Sequence, residues 1–297
     1  MQALSQLSYS PTERGTLRSL SRPVKAGSDA RTQRFPGEGR HSIGLGYAHQ
    51  MGLAECTFFE YTLTSGDPGE IVKRVLATDS VSLVNTINAN AFNVALKDKD
   101  FHDSLLASEV LVADGIGVVW AGRILGAKGL TKISGFDLFM AAMDIANREK
   151  LTVGMLGSTP EVLGKIKANA AKDFPGVSVR SLSPPFAPMF SNIEAAELVN
   201  QIGPVDILFI GMTAPKQEKF AYQVRIDVPA PVVLSVGAVF DFYAGTTKRA
   251  HPLLIRMGLE WLGRSIADPR RLGRRNLIAI PTFIFNCIRL AVGGKRH

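Results

Sequence analysis

Short apolar runs recur between longer amphipathic stretches from about residue 69 onward. The runs Val81–Asn85, Val110–Val112, Leu151–Leu156, Val177–Leu182, Val205–Ile210 and Val232–Val236 have the length and composition of buried strands. The stretches Glu70–Thr78, Ala91–Leu106, Ile116–Leu125, Phe136–Arg148, Pro160 to about Lys172, Ile193–Ile202 and Pro215–Arg225 carry helical spacing. About six strands separated by helices predict an α/β fold: a Rossmann-like parallel sheet with helices on both faces. A further apolar stretch, Leu277–Val292, is broken only by Asn286, Arg289 and Pro281.

The pattern divides the chain into three parts. Residues 1–68 lack sustained periodicity and are rich in Ser, Arg, Gly and Gln in their first fifty positions. They are expected to form a basic, largely disordered extension. A short apolar patch, Phe58–Leu63, and the turn cluster Ser65-Gly66-Asp67-Pro68-Gly69 lead into the folded part. Residues 69–247 form the expected core, and residues 248–297 a C-terminal appendage.

Charge sharpens this division. Residues 1–50 hold seven Lys/Arg against three Asp/Glu (+4), residues 51–247 sixteen against twenty-one (−5), and residues 248–297 eleven against two (+9). The core is mildly acidic and no nucleic-acid-binding module is recognisable, which argues against a nucleic-acid partner. The basic C-terminal end calls for an anionic partner: a lipid surface or a phosphate-bearing substrate. Leu277–Val292 is short for a membrane span. Basic residues flank it (Arg270, Arg271, Arg274, Arg275; Lys295, Arg296), so it reads as a membrane-surface helix on the cytoplasmic side. Docking on the protein core or an oligomer contact stays open. Cys56 and Cys287 fit no metal or redox spacing, and the N-terminus carries no secretory apolar segment, so a reducing cytosol is the expected setting.

Candidate chemistry centres on residues 109–122. Asp114 follows the strand Val110–Val112, at the carboxyl end where open α/β sheets place ligands. It is either a helix cap or a functional carboxylate. Gly115-Ile-Gly117-Val-Val-Trp120 has two glycines of a dinucleotide turn, but Trp120 fills the third position and is expected to obstruct close helix–strand packing. Asp98-Lys-Asp100 resembles an Asp-x-Asp metal motif but sits in a charged stretch and reads as a solvated loop. No cofactor and no obligatory metal are expected.

Four stretches, in order, carry a resemblance: Thr86-x-Asn88; Ala113-Asp-Gly-x-Gly117; Gly211-x-x-x-Pro-Lys-Gln-Glu218; and a block from Gly237-Ala-Val-Phe-Asp241 through Lys248-Arg-Ala250, Gly258-Leu-Glu-Trp-Leu262 and Asp268-Pro-Arg-Arg-Leu272 to Arg275. Over about residues 70–275 the chain resembles the WecG/TagA/CpsF family of bacterial glycosyltransferases. The resemblance implies an inverting, membrane-associated enzyme of surface-polysaccharide assembly. It would move a hexose or N-acetylhexosamine from a UDP-sugar to a sugar on polyprenyl diphosphate, peripherally bound at the inner face of the cell membrane. It places the catalytic aspartate on Asp114 and substrate contacts on Thr86, Asn88 and Gln217. Asp241 falls where the family holds the uracil end of the donor, and Arg264, Arg271 and Arg274 where it closes over the diphosphate.

Independent chemistry agrees. An inverting transfer needs one base to take the acceptor hydroxyl's proton. Without a metal, the departing diphosphate needs fixed cations or helix N-termini, and arginine suits phosphate through paired hydrogen bonds. Alternatives remain: Gln217 as a solvated helix-start residue, Asp241 as a turn residue, the arginines as lipid contacts, and Lys216 and Glu218 as structural or solvated. The chain departs from the family in having His251 where Pro is usual, Lys132, which cannot reproduce a bidentate arginine, at the basic position before Gly135-Phe-Asp-Leu138, and Ser183-Pro-Pro-Phe-Ala187 in place of an aromatic stretch. A homo-oligomer is a further candidate partner. A non-catalytic, membrane-docked UDP-sugar-binding scaffold or sensor is the rival reading.

Overall fold

Side-chain oxygens start most of the helices that flank the sheet. Asp67, Asn88, Asp98, Ser134, Thr159 and Ser191 each accept a hydrogen bond from a backbone N–H in the first turn that follows. At Ser134 and Ser191 the bond is reciprocated, by Asp137 and Glu194, in capping boxes. Pro68 and Pro160 occupy first-turn positions, where no N–H is missed. These signals are local, so the helices begin close to where the sequence predicts them.

The structure, a computed structural model, describes residues 47–248, 250, 251, 254 and 274–293. A short helix α1 (Tyr47–Gln50) precedes strands β1 (Ala54–Phe58) and β2 (Tyr61–Ser65). Then follow α2 (Pro68–Leu76), β3 (Ser82–Ile87), α3 (Ala89–Ala95), α4 (Lys99–Leu106), β4 (Val110–Ala113), α5 (Ile116–Ile124) and α6 (Gly135–Glu149). The second half comprises β5 (Thr152–Gly157), α7 (Pro160–Asp173), β6 (Ser178–Leu182), α8 (Asn192–Ile202), β7 (Ile207–Gly211), α9 (Lys216–Val224), β8 (Val232–Ser235) and α10 (Val239–Tyr243). A last helix, α11, spans Arg274–Gly293.

The eight strands form one sheet in the order β1-β2-β4-β3-β8-β7-β5-β6. All neighbours are parallel except β1 and β2, which make an antiparallel hairpin. Helices cover both faces. Val84, Val110 and Val112 point into a core shared with Leu138, Phe139 and Ile166 of α6 and α7. Leu111 and Ala113 meet Phe92 and Val118 on the opposite face, and Leu83 and Val233 meet Phe220 and Val224 there. The architecture is the Rossmann-like α/β fold expected.

The hairpin departs from the expected division. It lies within residues 1–68 yet belongs to the sheet, so the folded body starts before residue 69. Its turn, Phe59-Glu60, carries neither Gly nor Asn, and Phe59 has φ 53°. Ring packing holds this bulky residue in place: Phe59 lies 4.9 Å from Phe58 and 5.5 Å from Phe92 between centroids.

Helix α11 docks on the core through Ala279, Phe283 and Cys287. Asn93 on α3 donates to the carbonyl of Ala279 (2.8 Å) and accepts from Asn286 (3.0 Å), so a buried amide pair fixes the register. The opposite face of α11 leaves Leu277, Ile278, Ile284, Phe285, Ile288 and Val292 exposed. Pro281 does not end the helix; it sits on that exposed face. Among the described residues no helix is long and apolar enough to cross a membrane.

Candidate functional site

Neighbouring strands β3 and β8 send their chains to opposite faces of the sheet. After β3, α3 packs with Ile87 and Leu111; after β8, Val239 and Phe240 of α10 join the core of Val84 and Val112. A crevice opens outside carboxyl ends that diverge in this way, and it is the standard ligand position in open α/β sheets. Thr86 lies near the end of β3, Asn88, Asp114 and Gln217 on the loops and helix starts at this end, and Asp241 within α10.

Asp114 directly follows β4, half-buried. Its backbone N–H donates to the carbonyl of Ile87 at the end of β3 (2.9 Å), which extends the ladder past the last paired residues. The cap position of α5 belongs to Gly115, with φ 108° and no side-chain cap bond. The helix-cap alternative for Asp114 is therefore set aside. A side chain would strain this turn, which explains glycine after the aspartate.

Thr86 lies on β3 opposite Val112, half-buried, and alternation puts it on the same sheet face as Val84 and Asp114. Asn88 is the cap of α3: its Oδ1 accepts from the N–H of Ala91 (2.9 Å). One carboxamide oxygen is thus committed to structure, while the amide group remains the donor end.

Gln217 is buried rather than solvated. Its Oε1 accepts from the N–H of Gly237 (2.9 Å) and its Nε2 donates to Oε1 of Glu218 (2.8 Å). The side chain therefore clasps the start of α9 to the turn after β8. Gly237 has φ 59° there. Glu218 is only 2% exposed, and its Oε2 has no hydrogen-bond partner among the described residues. Burial pushes its carboxyl up to about 7, against the smaller opposing effect of the Gln217 bond. Lys216 lies 4.1 Å over the Phe190 ring and donates to the carbonyl of Ala187; burial lowers its ammonium below the usual lysine range.

Asp241 sits in α10, two residues beyond the β8 turn that ends at Val239. Its carbonyl accepts from the N–H groups of Thr246 (3.1 Å) and Thr247 (3.2 Å) and so closes the following turn. Its neighbour Phe240 fits against Gly211, where a Cβ would lie 2.1 Å from the ring. The conformation that presents Asp241 depends on that missing side chain.

Positive charge reaches this end from an element that the sequence reading left out of the site. The N–H of Ile133 donates to the carbonyl of Ala113 (2.9 Å), which brings the segment Lys132–Gly135 against the end of β4. Gly135, the first residue of α6, packs within 3.5 Å of the carbonyl of Val236 at the end of β8, measured from an added Cβ. The half-buried Lys132 and the first turn of α6, capped by Ser134 and Asp137, therefore lie at the carboxyl ends of β4 and β8. The helical stretch Phe136–Arg148 is legible in the sequence; its place beside β4 needs a long-range contact. Arg264 and Arg271 lie outside the described residues, and Arg274 is described only as the first residue of α11.

Two other motifs resolve structurally. Trp120 does not obstruct helix–strand packing, because it is exposed; the buried side of α5 carries Gly122, where a Cβ would meet Leu130 of the following loop at 2.6 Å and Phe58 of β1 at 3.7 Å. Asp98 is not in a solvated loop: it caps α4 and pairs with Lys219 of α9 at 2.7 Å. Among the described residues no three His, Cys, Asp or Glu gather as metal ligands.

The model of the glycosyl transferase WecG/TagA/CpsF family matches residues 56–297. Over 208 residues the chain is 28% identical to the N-acetylglucosaminyldiphosphoundecaprenol N-acetyl-beta-D-mannosaminyltransferase of Bacillus subtilis (strain 168), covering 70% of this chain and 79% of that protein. It is 27% identical over 220 residues to the protein of the same name from Staphylococcus aureus (strain NCTC 8325 / PS 47), covering 73% and 84%.

Proposed function

The chain belongs to the WecG/TagA/CpsF family of glycosyltransferases, and we propose that it transfers a hexose or N-acetylhexosamine, with inversion, from a UDP-sugar to a sugar on polyprenyl diphosphate at the cytoplasmic face of the membrane. The observation that carries this reading is the position of Asp114: half-buried, just past β4, and tied through its backbone N–H to β3 at the carboxyl end of the sheet. The relatives' names specify an N-acetylglucosamine diphosphoundecaprenol acceptor, which supports the lipid-linked class here.

In this reading Asp114 takes the proton from the attacking acceptor hydroxyl, so that the bond to the sugar's anomeric carbon forms as the bond to UDP breaks. Thr86 and the amide group of Asn88 hold sugar hydroxyls on the β3 side. The Gln217 clasp fixes the Gly237 turn, and with it Asp241, as the wall that receives the uracil end. The diphosphate gains charge as it departs. Lys132 supplies compensating positive charge from the core, and Arg264, Arg271 and Arg274 supply it from the appendage. No cofactor or metal is required in this scheme. The apolar outer face of α11 and its basic flanks hold the enzyme on an anionic bilayer, where the acceptor resides.

The test is product analysis. The full chain is incubated with a panel of UDP-sugars and a short-chain polyprenyl diphosphate bearing N-acetylglucosamine, and the new glycosidic linkage is read by NMR. One donor giving a product of inverted anomeric configuration supports the reading. A product of retained configuration removes the single-base mechanism. Tight UDP binding without transfer to any acceptor of this class favours a non-catalytic sensor.

A further inference from the structure

Gly117, Trp120 and Ile124 follow one another at three and four residues, so they form one stripe along α5. The opposite stripe, Val118, Val119 and Gly122, is buried. Helix α11 covers the outer stripe at its beginning, where a Cβ on Gly117 would lie 3.9 Å from Phe283. It leaves Trp120 60% and Ile124 85% exposed.

We propose that this flank of α5 is a second lipid-contacting surface, which seats the Asp114 end of the sheet on an anionic bilayer. The proposal rests on the lipid-linked acceptor reading and assigns the membrane contact to the catalytic core as well as to the appendage. Helix α11 packs chiefly on α3 and meets α5 only at its start. Trp120, left uncovered beside it, suits the headgroup level that indoles prefer.

Charge selects lipid over a second copy of the chain. The last fifty residues carry +9, and the docked face of α11 meets the start of the α5 stripe, Phe283 against Gly117. Two copies joined through these faces would bring like-charged ends together, whereas an anionic surface accepts both the charge and the apolar side chains. Position supplies a use for the contact. Helix α5 begins two residues after Asp114 and is about 14 Å long at 1.5 Å per residue. Its lipid contact would fix the height of the base above the surface from which the acceptor sugar projects.

The test is cosedimentation of the full chain with vesicles of 70% phosphatidylcholine and 30% phosphatidylglycerol. The double variant Trp120→Gln/Ile124→Gln should bind about tenfold more weakly than wild type, given the loss of two interfacial apolar groups. Glutamine keeps helix propensity, and circular dichroism checks the fold. The control Ile193→Gln/Ile226→Gln, which alters exposed isoleucines elsewhere, should bind like wild type. Brominated lipid should quench wild-type fluorescence more than that of Trp120→Phe. Wild-type vesicle affinity in the α5 double variant overturns the proposal, as does loss of a dimer by light scattering without loss of vesicle binding. Vesicle binding is read without turnover. If no donor supports transfer but the double variant still loses affinity, the surface stands and only the enzymatic reading falls.

Discussion

The N–H of Asp114 donates to the carbonyl of Ile87 at 2.9 Å, so the last act of the β3–β4 ladder is to position the candidate base. Asn88, the next residue after Ile87, is held just as firmly by its bond to Ala91. The two candidate site residues are thus set by backbone geometry rather than by flexible loops, which favours a preorganised site.

Gly211→Ala tests how the Asp241 wall is built. The new Cβ would enter the ring of Phe240, which is buried, so α10 must shift. Denaturant unfolding should show a loss of about 1–3 kcal/mol, and UDP affinity should fall with it. Gly164→Ala provides the contrast. Its added Cβ meets nothing within 4 Å on α7, so stability should rise by about 0.5–1 kcal/mol.

Glu218 gives a pH signature. Its folded-state carboxyl is raised to about 7 from an ordinary value of 4.5. The unfolded chain therefore releases its proton first. Stability contributed by the neutral acid is full below about pH 4.5, declines as the pH rises, and is lost above about 7. The span corresponds to roughly 3 kcal/mol at most. Glu218→Gln should flatten this dependence and melt higher than wild type at pH 8. Melting curves across pH 4.5–8 that superpose for the two proteins would contradict the assignment.

Phe283→Ala should loosen α11. The ring is buried between Phe58 and Phe92, and its removal should cost about 3–5 kcal/mol of packing. Amides of α11 should then exchange faster with solvent deuterium, while the amides of β7 and β8 keep their protection.

The sequence made the parallel strands and their helices legible because apolar runs, caps and first-turn prolines are local signals. Asp67, Ser134 and Thr159 announced their helices without help from the tertiary fold. What it concealed was long-range. The β1–β2 hairpin turns at Phe59-Glu60 through ring packing rather than through a turn-forming residue. The docking of α11 depends on Asn93 and Asn286, 193 positions apart. The same holds at the site. The motifs marked Asp114, Gln217 and Asp241, but only the structure brings Lys132 and the start of α6 to the end of β4. In the sequence Trp120 reads as an obstacle on the inside, because its stripe cannot be assigned until α5 is set against the sheet.

The most direct measurement is UDP release by wild type and Asp114→Asn, with the donor and lipid-linked acceptor identified by the product assay, in the presence of chelator. Asparagine preserves size and hydrogen bonding to the backbone but cannot accept the proton. The account predicts wild-type turnover that persists with chelator and a loss of about 10²–10⁴-fold in Asp114→Asn, with UDP binding retained. Equal turnover by the two proteins would contradict the assignment of Asp114 as the base.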